Sequence, residues 1–278
     1  MHHLPALREV IAQHNLRADK SYGQNFLLDQ NLTDKIARAA GDLTGKHVLE
    51  IGPGPGGLTR SLLRTPATAV TAVEIDPRAV AALKELQDIA GQRFQLLAQD
   101  ALHAGLTDLV PHGPRAIVAN LPYNIATPLL IKWLMDIHAD NGSIDVMVLM
   151  FQKEVAQRIC AVPRTSAYGR LAIMAQWLCD TRIAFDVPAS AFVPPPKVTS
   201  SIVVLRPRRD LSAQPEFTIM EKLVARAFQQ RRKMLRNTLA PFLAQLEQCG
   251  IPETARPEEV TPAQYVALSR LIPDPSIS

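Results

Sequence analysis

The chain has 278 residues, 47% of them hydrophobic and 20% charged, with a net charge of +4. That length holds one large core and a smaller satellite unit. The longest apolar run, Val146 to Phe151, is far short of the roughly 20 residues a membrane-spanning helix needs, so no membrane association is expected.

The N-terminal stretch lacks an apolar core of signal-peptide length, which points to a cytoplasmic protein. Cys160, Cys179 and Cys249 are odd in number and far apart, and the histidines are dispersed, so neither a disulfide framework nor a metal is expected. The charge is unevenly spread. Lys153 to Arg236 holds fifteen Lys and Arg against six Asp and Glu, a net +9, and the rest of the chain nets −5. Such concentration suits a polyanionic partner, although a solvated basic surface would read the same way.

In chain order, the periodicity predicts a helix over 29–41, with Asp29 or Asn31 as its N-cap, and then a strand over 47–51. A helix over 57–64 follows, then a strand over 69–75, a helix over 77–90 opened by Pro77, and strands over 93–98 and 115–121. A helix over 128–138, with Pro128 in its first turn, leads to a strand over 144–151. A further helix spans 169–178. Strands over 181–187 and 199–207 are expected to form a terminal hairpin of the same sheet. Between them PASAFVPPPK (188–197) reads as an ordered or extended loop. Alternation of this kind is the mark of an α/β protein with a largely parallel sheet. After Pro207 the pattern is helical only, which predicts a domain over 1–207 and a helical one over 208–278.

The segment VLEIGPGPGGLT (48–59) runs from a strand through a glycine-rich turn into a helix. Gly52, Gly54 and Gly56 allow a ligand to approach the main chain, but the same turn also fits a dinucleotide fingerprint. Glu74, ending the second strand, can accept hydrogen bonds from two ribose hydroxyls. Asp100, after the third, can accept one from an adenine amino group.

NLPY (120–123) separates the two readings. Asn120 offers an amide carbonyl and Leu121, stiffened by Pro122, a backbone carbonyl. Together they can take both N–H groups of an aromatic amine and turn its lone pair toward a methyl donor. Tyr123 offers a face for the base. A dehydrogenase has no use for this set.

With these motifs, the chain resembles the ribosomal RNA adenine dimethyltransferase family, in its small-subunit (16S) branch. The resemblance runs through GQNFL (23–27), EIGPGPGGLT (50–59), EID (74–76), QDA (99–101), NLPYNI (120–125), QKEVAQRI (152–159), AYGRL (167–171), AFVPPPKVTSS (191–201) and AFQQRRKMLRNTL (227–239). It departs only at GPGG, where relatives vary, and at VTS, where VDS is common. The resemblance implies a Rossmann-like, seven-stranded S-adenosylmethionine-dependent methyltransferase domain with a small all-helical C-terminal domain. It implies N6,N6-dimethylation of two adjacent adenosines in the 3′-terminal hairpin loop of 16S rRNA within the small ribosomal subunit, and a part in subunit biogenesis.

By motif, Asn25, Leu27, Gly52, Glu74, Asp100 and Asn120 would line the cofactor site. Phe192 would stack on the base opposite Tyr123, although its own surroundings in the sequence suit a core residue. The basic run QRRKMLR (230–236) supplies Arg231, Arg232, Lys233 and Arg236 as phosphate contacts, with Arg206, Arg208 and Arg209 nearby. A monomer is expected. Two alternatives stay open: a 23S rRNA adenine methyltransferase of the antibiotic-resistance type, and an assembly factor that acts mainly by binding.

Overall fold

The computed structural model describes residues 4–16, 24–209 and 214–273; Gly23 of the GQNFL motif lies outside them. Apolar strands followed by amphipathic helices pair in parallel, because each helix carries the chain back across the sheet before the next strand begins. The elements in chain order are α1 (Leu7–Gln13), β1 (Phe26–Leu27), α2 (Gln30–Ala39), β2 (His47–Ile51), α3 (Gly57–Leu63), β3 (Ala69–Glu74), α4 (Pro77–Ala90), β4 (Phe94–Ala98), α5 (Leu106–Leu109), β5 (Arg115–Ala119), α6 (Tyr123–Ala139), β6 (Val146–Gln152), α7 (Lys153–Ile159), α8 (Arg170–Leu178), β7 (Cys179–Val187), β8 (Phe192–Val193), β9 (Ser200–Pro207), α9 (Phe217–Ala227), α10 (Leu235–Thr238), α11 (Leu243–Gln248) and α12 (Pro262–Arg270).

All seven expected strands enter one sheet of order β4-β3-β2-β5-β6-β9-β7. The first five are parallel. β9 runs antiparallel between β6 and β7, so the predicted terminal hairpin is present. From β2 the chain moves outward to β3, and from β5 it moves outward the other way to β6. The crevice between the carboxyl ends of β2 and β5 is therefore the topological switch point, where open α/β sheets bind ligands.

Period-two alternation divides the apolar residues between two faces. Val48, Val70, Val118 and Val148 are buried on one face with α2, α3 and α4. Leu49, Ile117, Met147 and Leu149 are buried on the other with α6 and α8. The helices after Pro207 join this second cluster through Phe217, Met220, Leu223 and Tyr265. Trp177 stacks on Phe217 with ring centroids 5.6 Å apart. The C-terminal helices thus complete the cover of one sheet face, and their apolar side chains share its core.

Two expectations change. α6 starts at Tyr123, five residues before the predicted start at 128, and Pro128 lies inside the helix. A proline there forfeits one backbone bond, at a cost of about 3 kcal/mol or more in a helix interior. Burial of Ala126, Leu129, Leu130, Trp133 and Leu134 along one side of α6 offsets it. The 188–197 loop contains a short strand, β8, which pairs antiparallel with β1 in the register Phe26 with Val193 and Leu27 with Phe192. A two-residue strand has no readable period, so only its partner reveals it. Helices α1, α5 and α7 also had no counterpart in the sequence reading.

Candidate active site

A cavity opens at the switch point. The glycine turn after β2, the ends of β3, β4 and β5, the first residues of α6 and residues 24–27 all line it. It gathers Asn25, Leu27, Gly52, Gly54, Glu74, Asp100, Asn120, Leu121, Pro122 and Tyr123, ten of the eleven residues expected at the cofactor and target-base sites.

The glycines of the turn answer to the protein as well as to a ligand. Gly54 has φ +54°, and a Cβ there would lie 2.9 Å from the Phe26 ring. A Cβ on Gly57 would lie 2.6 Å from the Leu27 carbonyl oxygen, backbone that cannot swing away. Residues 24–27 therefore cross the turn at a distance only glycine permits.

Glu74 is buried and spends its oxygens on the main chain. Oε1 accepts from the N–H groups of Ile75 and Asp76, each at 2.9 Å, and Oε2 accepts from that of Gly54 at 3.1 Å. Burial raises its pKa, and these three donors oppose the rise. The carboxylate thus locks the turn to β3 while lining the cavity. Asp100 accepts from the N–H of Leu102 at 2.8 Å.

Glu50, which the sequence reading passed over, also lines the cavity. It is 1% exposed, and its Oε2 has no hydrogen-bond partner. Its signal was a lone acid at the buried end of HVLEI, directly before the glycines.

On the other side of the cavity, Asn120 Nδ2 donates to the Asn25 carbonyl at 3.1 Å. A carbonyl can only accept, so this bond faces the amide nitrogen away and leaves Oδ1 as the acceptor for an incoming amine. Pro122 caps α6, and the first helical bonds, from Ile125 and Ala126 at 3.1 Å each, go to the Pro122 carbonyl. The Leu121 carbonyl stands one residue outside that ladder. The Tyr123 hydroxyl pairs with Ser200 Oγ at 2.6 Å, and burial raises the phenol's pKa. Tyr123 is thus a neutral ring anchored to β9, not a proton acceptor. Ser200, wholly buried, was likewise missed; its role depends on a partner 77 positions away.

Phe192 does not reach the cavity. It is 2% exposed and lies with Val187 and Ile202 in the core on the sheet face covered by α2, α3 and α4, because pairing with β1 turns its ring inward. Tyr123 and Phe192 therefore do not face each other across an open slot here, and the core reading of Phe192 describes its place in this structure.

The basic run divides. Arg231 pairs with Glu258 at 2.7 Å and donates to the Ser166 and Thr165 carbonyls, tying the turn after α9 to the loop before α8. Arg236 lies 3.7 Å from Glu253. Arg232 and Lys233 are exposed and hold no ion pair among the described residues. Arg206 donates to the Ala40 carbonyl, and Arg208 and Arg209 pair with Asp180 and Asp145.

The sequence model described as "Ribosomal RNA adenine dimethylase" matches residues 15–273. A protein of Paramagnetospirillum magneticum named ribosomal RNA small subunit methyltransferase A is 50% identical over 272 residues, covering 97% of this chain and 95% of that one. A Rhodopseudomonas palustris protein of the same name is 53% identical over 276 residues, covering 96% and 93%. Among solved structures, a dimethyladenosine transferase from Plasmodium falciparum superposes with a TM-score of 0.74 at 27% identity, over 87% of this chain and 95% of that one. The 23S rRNA methyltransferase ErmE gives 0.68 at 29% identity, over 88% and 98%. With a family match across nearly the whole chain and full-length relatives at half identity, this protein belongs to the ribosomal RNA adenine dimethylase family.

Proposed function

We propose that the protein transfers methyl groups from S-adenosylmethionine to N6 of two adjacent adenosines in the 3′-terminal hairpin loop of 16S rRNA within the small ribosomal subunit. One observation carries the reading of the chemistry: the Asn120 amide is held by its nitrogen, so its oxygen and the Leu121 carbonyl form an acceptor pair at the lip of a carboxylate-lined cavity.

The residues present fit the donor. The glycine turn leaves room against the main chain, Glu74 and Asp100 offer acceptors to a ribose and an adenine amine, and the acid-rich wall suits a positive charge. When bound, S-adenosylmethionine supplies a sulfonium-activated methyl group. The protein's part is to position and to polarise. The lone pair of the adenine amine is delocalised into the ring. Hydrogen bonds from its protons to Asn120 Oδ1 and the Leu121 carbonyl localise it and stabilise the positive charge that develops on nitrogen. Tyr123 gives the base a fixed face. In the second round one N–H is already methylated, so a single acceptor suffices and the other must tolerate a methyl group.

The helical C-terminal part, taken as 208–278, provides phosphate contacts through Arg232 and Lys233 that hold the protein on folded RNA without reading bases. A cytoplasmic location and a part in subunit biogenesis go with this substrate. The large-subunit alternative is favoured less, because ErmE is 29% identical whereas small-subunit relatives reach about half. Incubating the protein with labelled S-adenosylmethionine and unmethylated small subunits, then mapping the label, tests the proposal. Two adjacent N6-dimethylated adenosines near the 3′ end are expected, and label in the large subunit or at another atom would overturn it.

A further inference from the structure

The cavity wall carries three carboxylates, Glu50, Glu74 and Asp100, and among the described residues no Lys, Arg or His lines it. Of the groups around Glu50, Glu74 at the end of β3 and the Thr59 hydroxyl of α3 act on it directly, and the other titratable residues lining the same cavity are Asp100 after β4 and Tyr123 at the start of α6. Two of the acids are provided for: Glu74 by three backbone donors, Asp100 by the Leu102 N–H. Glu50 differs, being 1% exposed with Oε2 unpartnered. A buried carboxylate with an oxygen left undonated is stabilised by taking up a proton or by meeting a cation. Burial first raises its pKa, the Thr59 hydroxyl opposes the rise, and the charge of Glu74 adds to it, to about 8, so Glu50 carries a proton at neutral pH until a cation meets it.

We infer that Glu50 discriminates the charged methyl donor from its demethylated product, releasing its proton when the sulfonium enters the pocket and taking one back from solvent once the methyl has left. This rests on the reading of the cavity as the S-adenosylmethionine site. The electron count supports it. In the transfer the S–CH₃ bond breaks with its pair remaining on sulfur, the N6–C bond forms, and an N6 proton goes to solvent. S-adenosylhomocysteine therefore carries one positive charge fewer than the donor in an otherwise identical frame. An ionised Glu50 facing that neutral thioether would be uncompensated, so the product leaves a protonated wall behind. Part of the preference for donor over product is thus set by proton exchange at a residue that need not touch the RNA.

Isothermal titration at pH 7 in two buffers of different ionisation enthalpy reads the number of protons released. S-adenosylmethionine should release close to one proton more from the wild-type protein than from Glu50→Gln, a near-isosteric copy of the protonated acid. S-adenosylhomocysteine should give equal counts with both. Glu50→Gln should also narrow the affinity ratio between the two ligands. A wild-type series from pH 5.5 to 6.5, more than a unit below the α-amino range of about 7.7–8.0, keeps the amino group of both ligands protonated and provides a reading independent of the variant. There the affinity for donor relative to product should climb by up to about tenfold per pH unit. Equal proton counts for the donor in both proteins, or a flat ratio over that range, would overturn the inference and leave the donor site standing. Failure of both ligands to bind would overturn the donor reading and this inference with it.

Discussion

At the switch point, Asn25 and Asn120, which are 95 positions apart, meet in one hydrogen bond beside a cavity whose acids and carbonyls keep capacity to accept. In the basic run 230–236, neighbours in sequence are drawn apart. Arg231 turns inward to Glu258 and two carbonyls, while Arg232 and Lys233 remain outside. The difference lies in what positions each group. Strand register in a parallel sheet sets the cavity's residues at one level, so a motif at a strand's carboxyl end is aimed by the whole fold. A cation on a short helix or turn answers to the nearest acid or carbonyl, and a count of charges overstates what is left for a partner.

The largest effect should come from the acceptor pair. Asn120→Ala should lower single-turnover methyl transfer by about 10²-fold or more, the order expected for a lost transition-state hydrogen bond worth roughly 3 kcal/mol. Near-normal turnover would break the claim that the sheet aims this residue at the chemistry.

Next is the crossing of residues 24–27 over the glycine turn. Gly57→Ala places a Cβ against the Leu27 carbonyl, and forcing such contacts apart costs about 1–3 kcal/mol. A lower melting temperature and weaker binding of S-adenosylmethionine are expected together, by thermal melting and equilibrium dialysis. If donor affinity is kept, residues 24–27 do not shape the site.

The split within the basic run predicts a crossed result. Arg231→Ala should lower stability by about 1 kcal/mol, the scale for a half-exposed ion pair with supporting bonds, and leave the salt dependence of subunit binding largely unchanged. Neutralising Arg232 and Lys233 to Gln should do the reverse, flattening the salt slope by roughly one unit per lost contact with no change in melting. Equal behaviour of the two variants would erase the distinction drawn here.

Smallest is the Tyr123–Ser200 bond. Tyr123→Phe and Ser200→Ala should each slow transfer about fivefold, the equivalent of roughly 1 kcal/mol for one hydrogen bond. The double variant should be no slower than either single one, because both remove the same bond. Additive losses would mean the two hydroxyls act separately.

The positions of the strands along the chain, the terminal hairpin and the glycine turn at a strand's carboxyl end follow from local patterning: period-two runs, helix caps such as Asp29 and turn residues, all set by nearest neighbours along the chain. The motif residues from Gly52 to Tyr123 were legible for the same reason, since each lies at a strand end or on a tight turn, whereas Asn25 and Leu27 came only from the family resemblance. What the sequence could not disclose depends on partners far along the chain. β8 exists because Phe26 and Leu27 run beside it, and that pairing takes Phe192 into the core. Tyr123 is anchored because β9 returns Ser200 to its hydroxyl. Arg231 is spent because Glu258 and the loop before α8 fold onto it. Glu50 is titratable near neutral pH because the sheet buries it beside Glu74 and leaves its Oε2 without a donor. Local propensity writes the elements into the sequence, but hydrogen-bond satisfaction and desolvation are properties of the assembled interior, and only the tertiary structure decides them.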